Sequence, residues 1–309
     1  MQEHTKPLIV LAGGSGFIGR HAASFFTQIG YRVAVLTRAE NHYADAIRYV
    51  HWDGKTVENW KHLLNESVAV FNFTGQNIQS LPTAANRNEI LQSRVLSIKA
   101  LTNAILQCEK PPKIFVQMSA VGFYGDSKEI CTETTPSGKG FLAETCVQWE
   151  QAFLNAALPK TRKIIFRLGM VLAADGGAFP LFVKLTKSFL GSAVGSGKQG
   201  VSWIHINDLM QMFRCTLYRS DMEGIYNATS THPISNEEFM KTLRQKLFRP
   251  WIFNVPAVFA AKTALWILKV NPEVILTGCF AIPQRLTESG CLLQFNTFDD
   301  ALNDLLYRG

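Results

Sequence analysis

Residues 9–20 read Ile-Val-Leu-Ala-Gly-Gly-Ser-Gly-Phe-Ile-Gly-Arg: a short apolar run passes straight into a glycine cluster and out into helix-forming sequence. The glycines are spaced in two overlapping ways, Gly14-x-Gly16-x-x-Gly19 and Gly13-x-x-Gly16-x-x-Gly19. A turn without side chains lets the backbone pass close to a diphosphate. The unpaired N–H groups and the dipole of a helix starting near Phe17 would favour that charge. A glycine-rich hairpin would show the same letters, but a strand before and a helix after favour a dinucleotide-binding turn.

The next strand, residues 31–36, ends in Thr37-Arg38, about where an acid should stand if the ligand were NAD. No acid is there. An Asp or Glu would accept from the ribose 2′-hydroxyl and repel a 2′-phosphate, whereas the Arg38 guanidinium suits a phosphate. NADP is therefore the expected cofactor. One charge-assisted bond of about 1.5–3 kcal/mol would set a preference of roughly ten- to a hundredfold. Arg20, just after the last glycine, is either a second positive charge for the phosphates or an ordinary solvated arginine.

A chain of 309 residues, 47% of them hydrophobic, can bury one large α/β core and a smaller companion. The formal charge is +7, but Lys and Arg are scattered and form no run of the kind that marks a nucleic-acid arm. The surplus suits attraction of a phosphate-bearing cofactor and an acidic small-molecule substrate. Cys108, Cys131, Cys146, Cys215, Cys279 and Cys291 show no CxxC or Cys/His spacing, so neither a disulfide framework nor a metal site is expected. Residues 1–7 are polar and carry no signal sequence, and the expected location is cytoplasmic. Residues 255–270 are the most apolar later stretch, but Lys262 and Lys269 interrupt it and it is too short to span a bilayer. A packed amphipathic helix is expected there, and no membrane association. Nothing in the sequence fixes an oligomeric state.

Residues 47–52 read as a third strand ending at Asp53, and 68–73 as a fourth ending at Thr74-Gly75. Helix-length segments lie between and after them, notably 88–108. After Pro111-Pro112, residues 113–118 form a fifth strand, 141–157 another helix and 162–168 a sixth strand. Such alternation demands an α/β, Rossmann-type doubly wound parallel sheet with ligands at the carboxyl ends of its strands. Asp53, Thr74-Gly75, Ser119 and Gly169 fall at such ends. Beyond Gly176-Gly177 the alternation weakens into glycine-punctuated sequence, a strand candidate at 224–228 and proline-broken helical segments. The expected division is a Rossmann domain over 1–171 and a smaller substrate domain over 172–309 that returns to the main sheet near 203–231.

Taken together, these segments resemble the extended short-chain dehydrogenase/reductase superfamily and, within it, the nucleoside-diphosphate-sugar epimerase-like proteins. The resemblance runs nearly end to end. It is carried by GGSGFIGR at 13–20, LTR at 36–38, VFNFTGQNI at 70–78, SRV at 93–95 and PPKIFVQMSAVGFYG at 111–125. FRLGMVLAADGGA at 166–178, GSGKQGVSWIHINDL at 195–209 and IPQRLTESG at 282–290 extend it. The resemblance implies that Gly13, Ser15, Gly16, Phe17, Ile18 and Gly19 surround the cofactor's diphosphate, that Thr37 and Arg38 meet the 2′-phosphate, and that Asp53 or Trp52 meets the adenine edge. Phe73, Thr74 and Gly75 would line the adenosine side, while Met118, Ser119 and the strand end Arg167-Leu168-Gly169 would approach the nicotinamide. Core packing is an equally open role for Phe73 and Met118.

One departure from the superfamily bears on the reaction. Its active members use Tyr-x-x-x-Lys, one helical turn apart: the tyrosine exchanges a proton with the substrate hydroxyl, and the lysine lowers its pKa while gripping the nicotinamide ribose. Here the helix reads FLAETCVQWE at 141–150, so Leu142 and Cys146, or Phe141 and Thr145, hold that spacing. None of the four can replace the pair, and positioned proton transfer is worth about a hundred- to ten-thousandfold. Ser119, where a hydroxyl would hold the substrate oxygen, and Tyr124, one loop further on, are the catalytic candidates. A phenol with a pKa near 10 needs a positive charge beside it to serve at neutral pH; a packed aromatic is its other role. Cys146 would be a nucleophile only if activated and is otherwise a small buried hydrophobe. His205 falls at a strand-to-helix junction, a structural place, with Asn207 or Asp208 capping the next helix. The expected function is an NADP(H)-dependent oxidoreductase or epimerase acting on a hydroxyl or carbonyl substrate, a nucleotide sugar among the candidates. The alternative is a non-catalytic NADP(H)-binding redox sensor or scaffold.

Overall fold

The apolar run before the glycine turn forms β1 (Leu8–Ala12), and every residue in it is buried. A strand with no polar face needs cover on both sides, which the middle of a helix-covered sheet provides. The structure, a computed structural model, describes residues 6–78, 83–250 and 271–307. After β1 come α1 (Phe17–Gln28), β2 (Arg32–Thr37), β3 (His42–Ala44), β4 (Ile47–His51) and β5 (Ser67–Asn72). Next are α2 (Ala84–Leu106), β6 (Ile114–Ala120), β7 (Ile130–Cys131), α3 (Phe141–Leu154), β8 (Arg162–Leu168) and β9 (Met170–Leu172). They are followed by α4 (Phe179–Lys187), β10 (Gly200–Val201), β11 (Trp203–His205), α5 (Ile206–Tyr218), β12 (Gly224–Ala228), β13 (Ile234–Ser235) and α6 (Asn236–Lys246).

The main sheet has eight strands in the order β12-β8-β6-β5-β1-β2-β4-β3, parallel except at the edge, where β3 runs antiparallel to β4. The chain leaves β1 toward β2 and β4, then crosses back to β5 and continues toward β6, β8 and β12. That reversal opens a crevice at the carboxyl ends of β1 and β5, where parallel sheets of this kind take their ligands. Helices α1 and α5 cover one face of the sheet through a cluster that includes Phe26, Phe71, Phe166 and Phe213. Helices α2 and α3 cover the other through Leu101, Phe115, Trp149 and Phe153. Each such fully buried side chain contributes about 1.5–3 kcal/mol of transfer free energy. A third cluster, around Trp203, Phe239 and Phe298, joins β11, α6 and the last helix, Phe298–Tyr307.

The strands lie where the apolar runs place them, and the doubly wound sheet is the one the alternation demands. Three details differ from the sequence expectation. The edge strand β3 was not legible, because its residues are exposed and carry no alternation. Helix α2 starts at Ala84, earlier than 88, because the Thr83 hydroxyl accepts from the Asn86 N–H (3.2 Å) and caps it there. The Cys215 and Cys291 thiols, expected to be free, form a disulfide across a separation of 76 residues. Spacing that long carries no signal in one sequence. The apolar stretch 255–270 lies outside the described residues, and among those described no helix is long and apolar enough to cross a membrane.

Candidate functional site

Three of the four fingerprint glycines are demanded by the fold itself. Gly13 adopts φ +70°, and its N–H donates to the Leu36 carbonyl (2.8 Å), tying the turn to β2. A Cβ on Gly14 would stand 2.7 Å from Leu11 Cβ, and one on Gly19 would stand 2.4 Å from Gly14 Cα. Gly16 is different. Its φ is an ordinary −73°, and a Cβ there would meet nothing nearer than the Gly13 carbonyl at 3.6 Å. The space beside it opens over the start of α1, whose N-cap is Gly16 and which has neither a capping side chain nor an acid in its first turn. The N–H groups of Phe17, Ile18 and Gly19 thus form a positive helix end without a side-chain acceptor, suited to a diphosphate.

The residues expected at the adenosine end gather around this turn. The Thr37 hydroxyl donates to Ser15 Oγ (3.0 Å), drawing the end of β2 against the turn, and Arg20 Nη1 donates to the Ser15 carbonyl (3.0 Å). Arg38 follows directly, exposed and without an ion pair among the described residues. Asp53 accepts from the Lys55 and Thr56 N–H groups (2.9 and 2.8 Å). Burial alone would raise its pKa, but those N–H groups outweigh that and hold the carboxyl below its ordinary value. Trp52, the other adenine candidate, is buried against Trp60 with its indole N–H bonded to the Thr56 carbonyl, which leaves Asp53 at the rim. Phe17 turns its ring away from the turn and onto Gly176 and Gly177, where a Cβ on Gly176 would lie 2.3 Å from it.

Beyond β1, Phe73 stacks on Phe71 and packs on Phe213, and Met118 is buried in the same cluster, so both make the packing contacts left open for them. Thr74 is fixed by its N–H on Asn72 Oδ1 (3.1 Å). At the ends of β6 and β8 lies a buried polar network. The Ser119 hydroxyl donates to Glu150 Oε1 (2.7 Å). Arg167 grips the same carboxylate twice, Nε to Oε1 (2.9 Å) and Nη2 to Oε2 (2.8 Å), and its Nη1 donates to the Tyr124 hydroxyl (3.0 Å). Burial would lower the Arg167 pKa, but Glu150 reverses the effect and raises it. The Tyr124 hydroxyl in turn donates to Asn227 Oδ1 (2.7 Å). Burial pushes its pKa up to about 12 despite Arg167, so at neutral pH it is a weak proton donor with both sides of its oxygen engaged. Leu168 is half-buried, and Gly169 is required because Ser202, between β10 and β11, comes so close that a Cβ would lie 2.5 Å from its carbonyl oxygen.

On α3, where a Tyr/Lys pair would sit, Phe141 and Leu142 are half-buried and Thr145 and Cys146 are buried. Burial pushes the Cys146 thiol up to about 12, with Glu150 adding to the effect, which removes it as a nucleophile. His205 is the N-cap of α5, its Nδ1 accepting from the Asn207 N–H (3.1 Å); the capping expected of Asn207 or Asp208 falls to the histidine itself. Burial pushes it down to about 4 against the pull of Asp304, whose Oδ2 lies 3.3 Å from Nε2. Sequence reasoning missed Glu150 and Asn227, which no motif marks. It also passed over Arg94 on α2, which stands in a stripe of otherwise apolar or small buried residues, Ile90, Ser97, Ile98, Leu101 and Ile105. A charge on such a stripe is a signal in itself.

This arrangement recurs in known proteins. A profile of the NAD dependent epimerase/dehydratase family matches residues 9–228. The chain is 30% identical to an epimerase family protein, SDR39U1 homolog, chloroplastic, of Arabidopsis thaliana, over 99% of this chain and 88% of that protein. It is also 30% identical to the epimerase family protein YfhF of Bacillus subtilis, over 96% and 97% of the two chains. Among solved structures, human epimerase family protein SDR39U1 with NADPH superposes with a TM-score of 0.85 at 25% identity, covering 96% of this chain and 98% of that one. The glycine turn, the switch in strand order beside it and the match along most of the sheet lead to one conclusion: the chain belongs to the NAD dependent epimerase/dehydratase family.

Proposed function

We propose that the protein binds NADP(H) across the carboxyl ends of β1, β2, β5 and β6 and acts as an oxidoreductase or epimerase on a hydroxyl or carbonyl carbon of a small molecule, a nucleotide sugar among the candidates. Gly16 carries the reading: the fold would accept a side chain there, and a diphosphate would not. Arg38, next to Thr37 in sequence, exposed and without an ion pair among the described residues, supports the 2′-phosphate form, as does the NADPH bound by the human relative. Once bound, the nicotinamide would supply or take up a hydride.

The chain's own part is to hold the substrate oxygen and move its proton. Ser119 Oγ already donates its hydrogen to Glu150 Oε1, so it can accept a proton from a substrate hydroxyl only by passing its own to that carboxylate. Arg167 fixes the carboxylate for this step, and Tyr124 holds Arg167. In this reading Ser119 acts on substrate and Tyr124 positions. A non-catalytic NADP(H) sensor is the second reading, favoured by the missing Tyr/Lys pair and by the engagement of the Tyr124 hydroxyl. It requires a partner that distinguishes the NADP⁺ and NADPH forms.

The test supplies NADPH and a panel of carbonyl compounds, nucleotide sugars included, and follows cofactor oxidation. Turnover that falls at least about a hundredfold in Ser119→Ala and less than about tenfold in Tyr124→Phe is the expected result. Turnover indifferent to Ser119 overturns the proton path, and redox-dependent capture of a partner without turnover favours the sensor.

A further inference from the structure

Two arginines are buried near the ends of β5, β6 and β8, and they are not equivalent. Arg167 is neutralised by Glu150. Arg94 has no carboxylate partner among the described residues. Its Nη1 donates to the carbonyls of Gln76 (3.1 Å) and Ile90 (2.9 Å), while Nε and Nη2 make no hydrogen bond there. Only 8% of the residue is exposed. Burial holds its pKa down to about 10, with Cys146 opposing that among the described residues. Desolvating a charge without an opposite charge is costly, and proteins rarely keep such a group unless something answers it.

Its location says what that is. The guanidinium lies against Gly75, where a Cβ would come within 3.0 Å of its central carbon; the missing side chain at Gly75 leaves it room at the end of β5. It also lies over the Trp149 ring, 4.8 Å from the centroid, on the face of α3 that carries Cys146. Cys146 stands at one of the two positions where the Tyr/Lys spacing would put the lysine. The Trp149 indole N–H is a buried donor with no acceptor among the described residues, a second unmet group in the same cluster. Across the sheet, Arg38 lies at the end of β2, on the other side of β1. Arg94 therefore lies across β1 from Arg38, between Gly75 at the end of β5 and the Cys146 face of α3.

We propose that Arg94, reaching from α2 to the place beside α3 that lacks a lysine, is the cation of the reaction centre and receives an oxyanion, a carboxylate or phosphate, of the bound small molecules. The proposal rests on the nucleotide-binding reading above and assigns a cation within that site, beside α3. The oxyanion comes either from an acidic substrate or from the cofactor's diphosphate. A planar fork with two free donors suits both.

The experiment uses the full chain as wild type, Arg94→Met and Arg94→Lys, with melting temperatures to establish that each is folded. Arg94→Lys keeps the charge and guards against a misfolded Arg94→Met. NADPH and 2′,5′-ADP, which lacks the diphosphate and nicotinamide, are titrated first. Inorganic phosphate and oxalate are then titrated into both the free and the NADPH-saturated protein by calorimetry. For an acidic substrate, the NADPH-saturated wild type binds phosphate or oxalate saturably. Arg94→Met then weakens that binding about tenfold or more, Arg94→Lys less, and both nucleotides are unaffected. If the oxyanion is the cofactor's, Arg94→Met weakens NADPH by a similar factor and leaves 2′,5′-ADP unchanged. A folded variant that alters none of these affinities overturns the proposal. Failure of the wild type to bind either nucleotide sinks the nucleotide reading, and phosphate or oxalate binding to the free protein then decides Arg94 alone.

Discussion

In the proposed reading Gly16 makes room for the cofactor and Arg38 supplies it with charge, and each can be removed separately. Gly16→Val adds a Cβ whose nearest non-neighbouring atom among the described residues is the Gly13 carbonyl oxygen at 3.6 Å, so the melting temperature should hold while NADPH binding is lost. Normal NADPH binding by that variant would reduce the glycine cluster to a turn. Arg38→Ala removes one charged contact. NADPH affinity should fall about tenfold or more with NADH affinity unchanged, and equal affinity for the two cofactors in the wild type would sink the NADP assignment. His205 gives a pH dependence. Its pKa is depressed from 6.5 to about 4 by burial, so the neutral ring contributes stability above pH 6.5 that is lost as the pH falls through 4, on the order of 3 kcal/mol. His205→Asn, which can still cap α5, should flatten the stability profile in that window. The positions of Gly16 and Arg38, at the start of α1 and just past β2, were legible because the glycine spacing and the apolar run fix them relative to a helix and a strand. Glu150 was not, because what makes it notable is a partner on another element, whereas Arg94 did carry a signal, a charge on the apolar stripe of α2, that the motifs alone did not bring out.

At the scale of elements, the strands were legible because β1, β5, β6 and β8 are buried runs whose apolar character does not depend on neighbours. Helix α3 was also foreseen, with its start at Phe141, but what it contributes was not. It carries Glu150 inward to Arg167 on β8, so an ion pair between helix and strand sits inside the molecule, with side chains only 3% and 4% exposed. Glu150→Gln leaves the arginine buried without its anion. The expected cost is about 3–5 kcal/mol, read as a lower urea midpoint; a variant as stable as wild type would show the pair to be dispensable. The start of α3 draws on a distant part of the chain as well. Glu273, in the short helix Pro272–Leu276, accepts from the Leu142 N–H (3.3 Å), an acid at a helix N-terminus that no local sequence could announce.

Over the whole molecule, the last third of the chain is held to the sheet by side chains as well as by β12. Arg285 donates to the Ile225 and Glu223 carbonyls (2.6 and 2.9 Å), and Glu133 accepts from the Arg285 N–H (3.3 Å). The Cys215–Cys291 bridge adds a covalent tie. Closing 76 residues should stabilise by up to ~4–5 kcal/mol on chain-entropy grounds, so Cys291→Ser, or reduction, should lower the melting temperature by several degrees. A reducing compartment would keep these thiols apart. Alkylating the protein at the moment of cell lysis and counting blocked cysteines tests the cytoplasmic expectation directly. The bridge has a further consequence. It turns residues 215–291 into a ring that contains the last strand of the main sheet. A protease that nicks any bond within the ring leaves two fragments still joined through sulfur. They run as one band until a reductant separates them, so the oxidised chain can be cut in this region without shedding its tail.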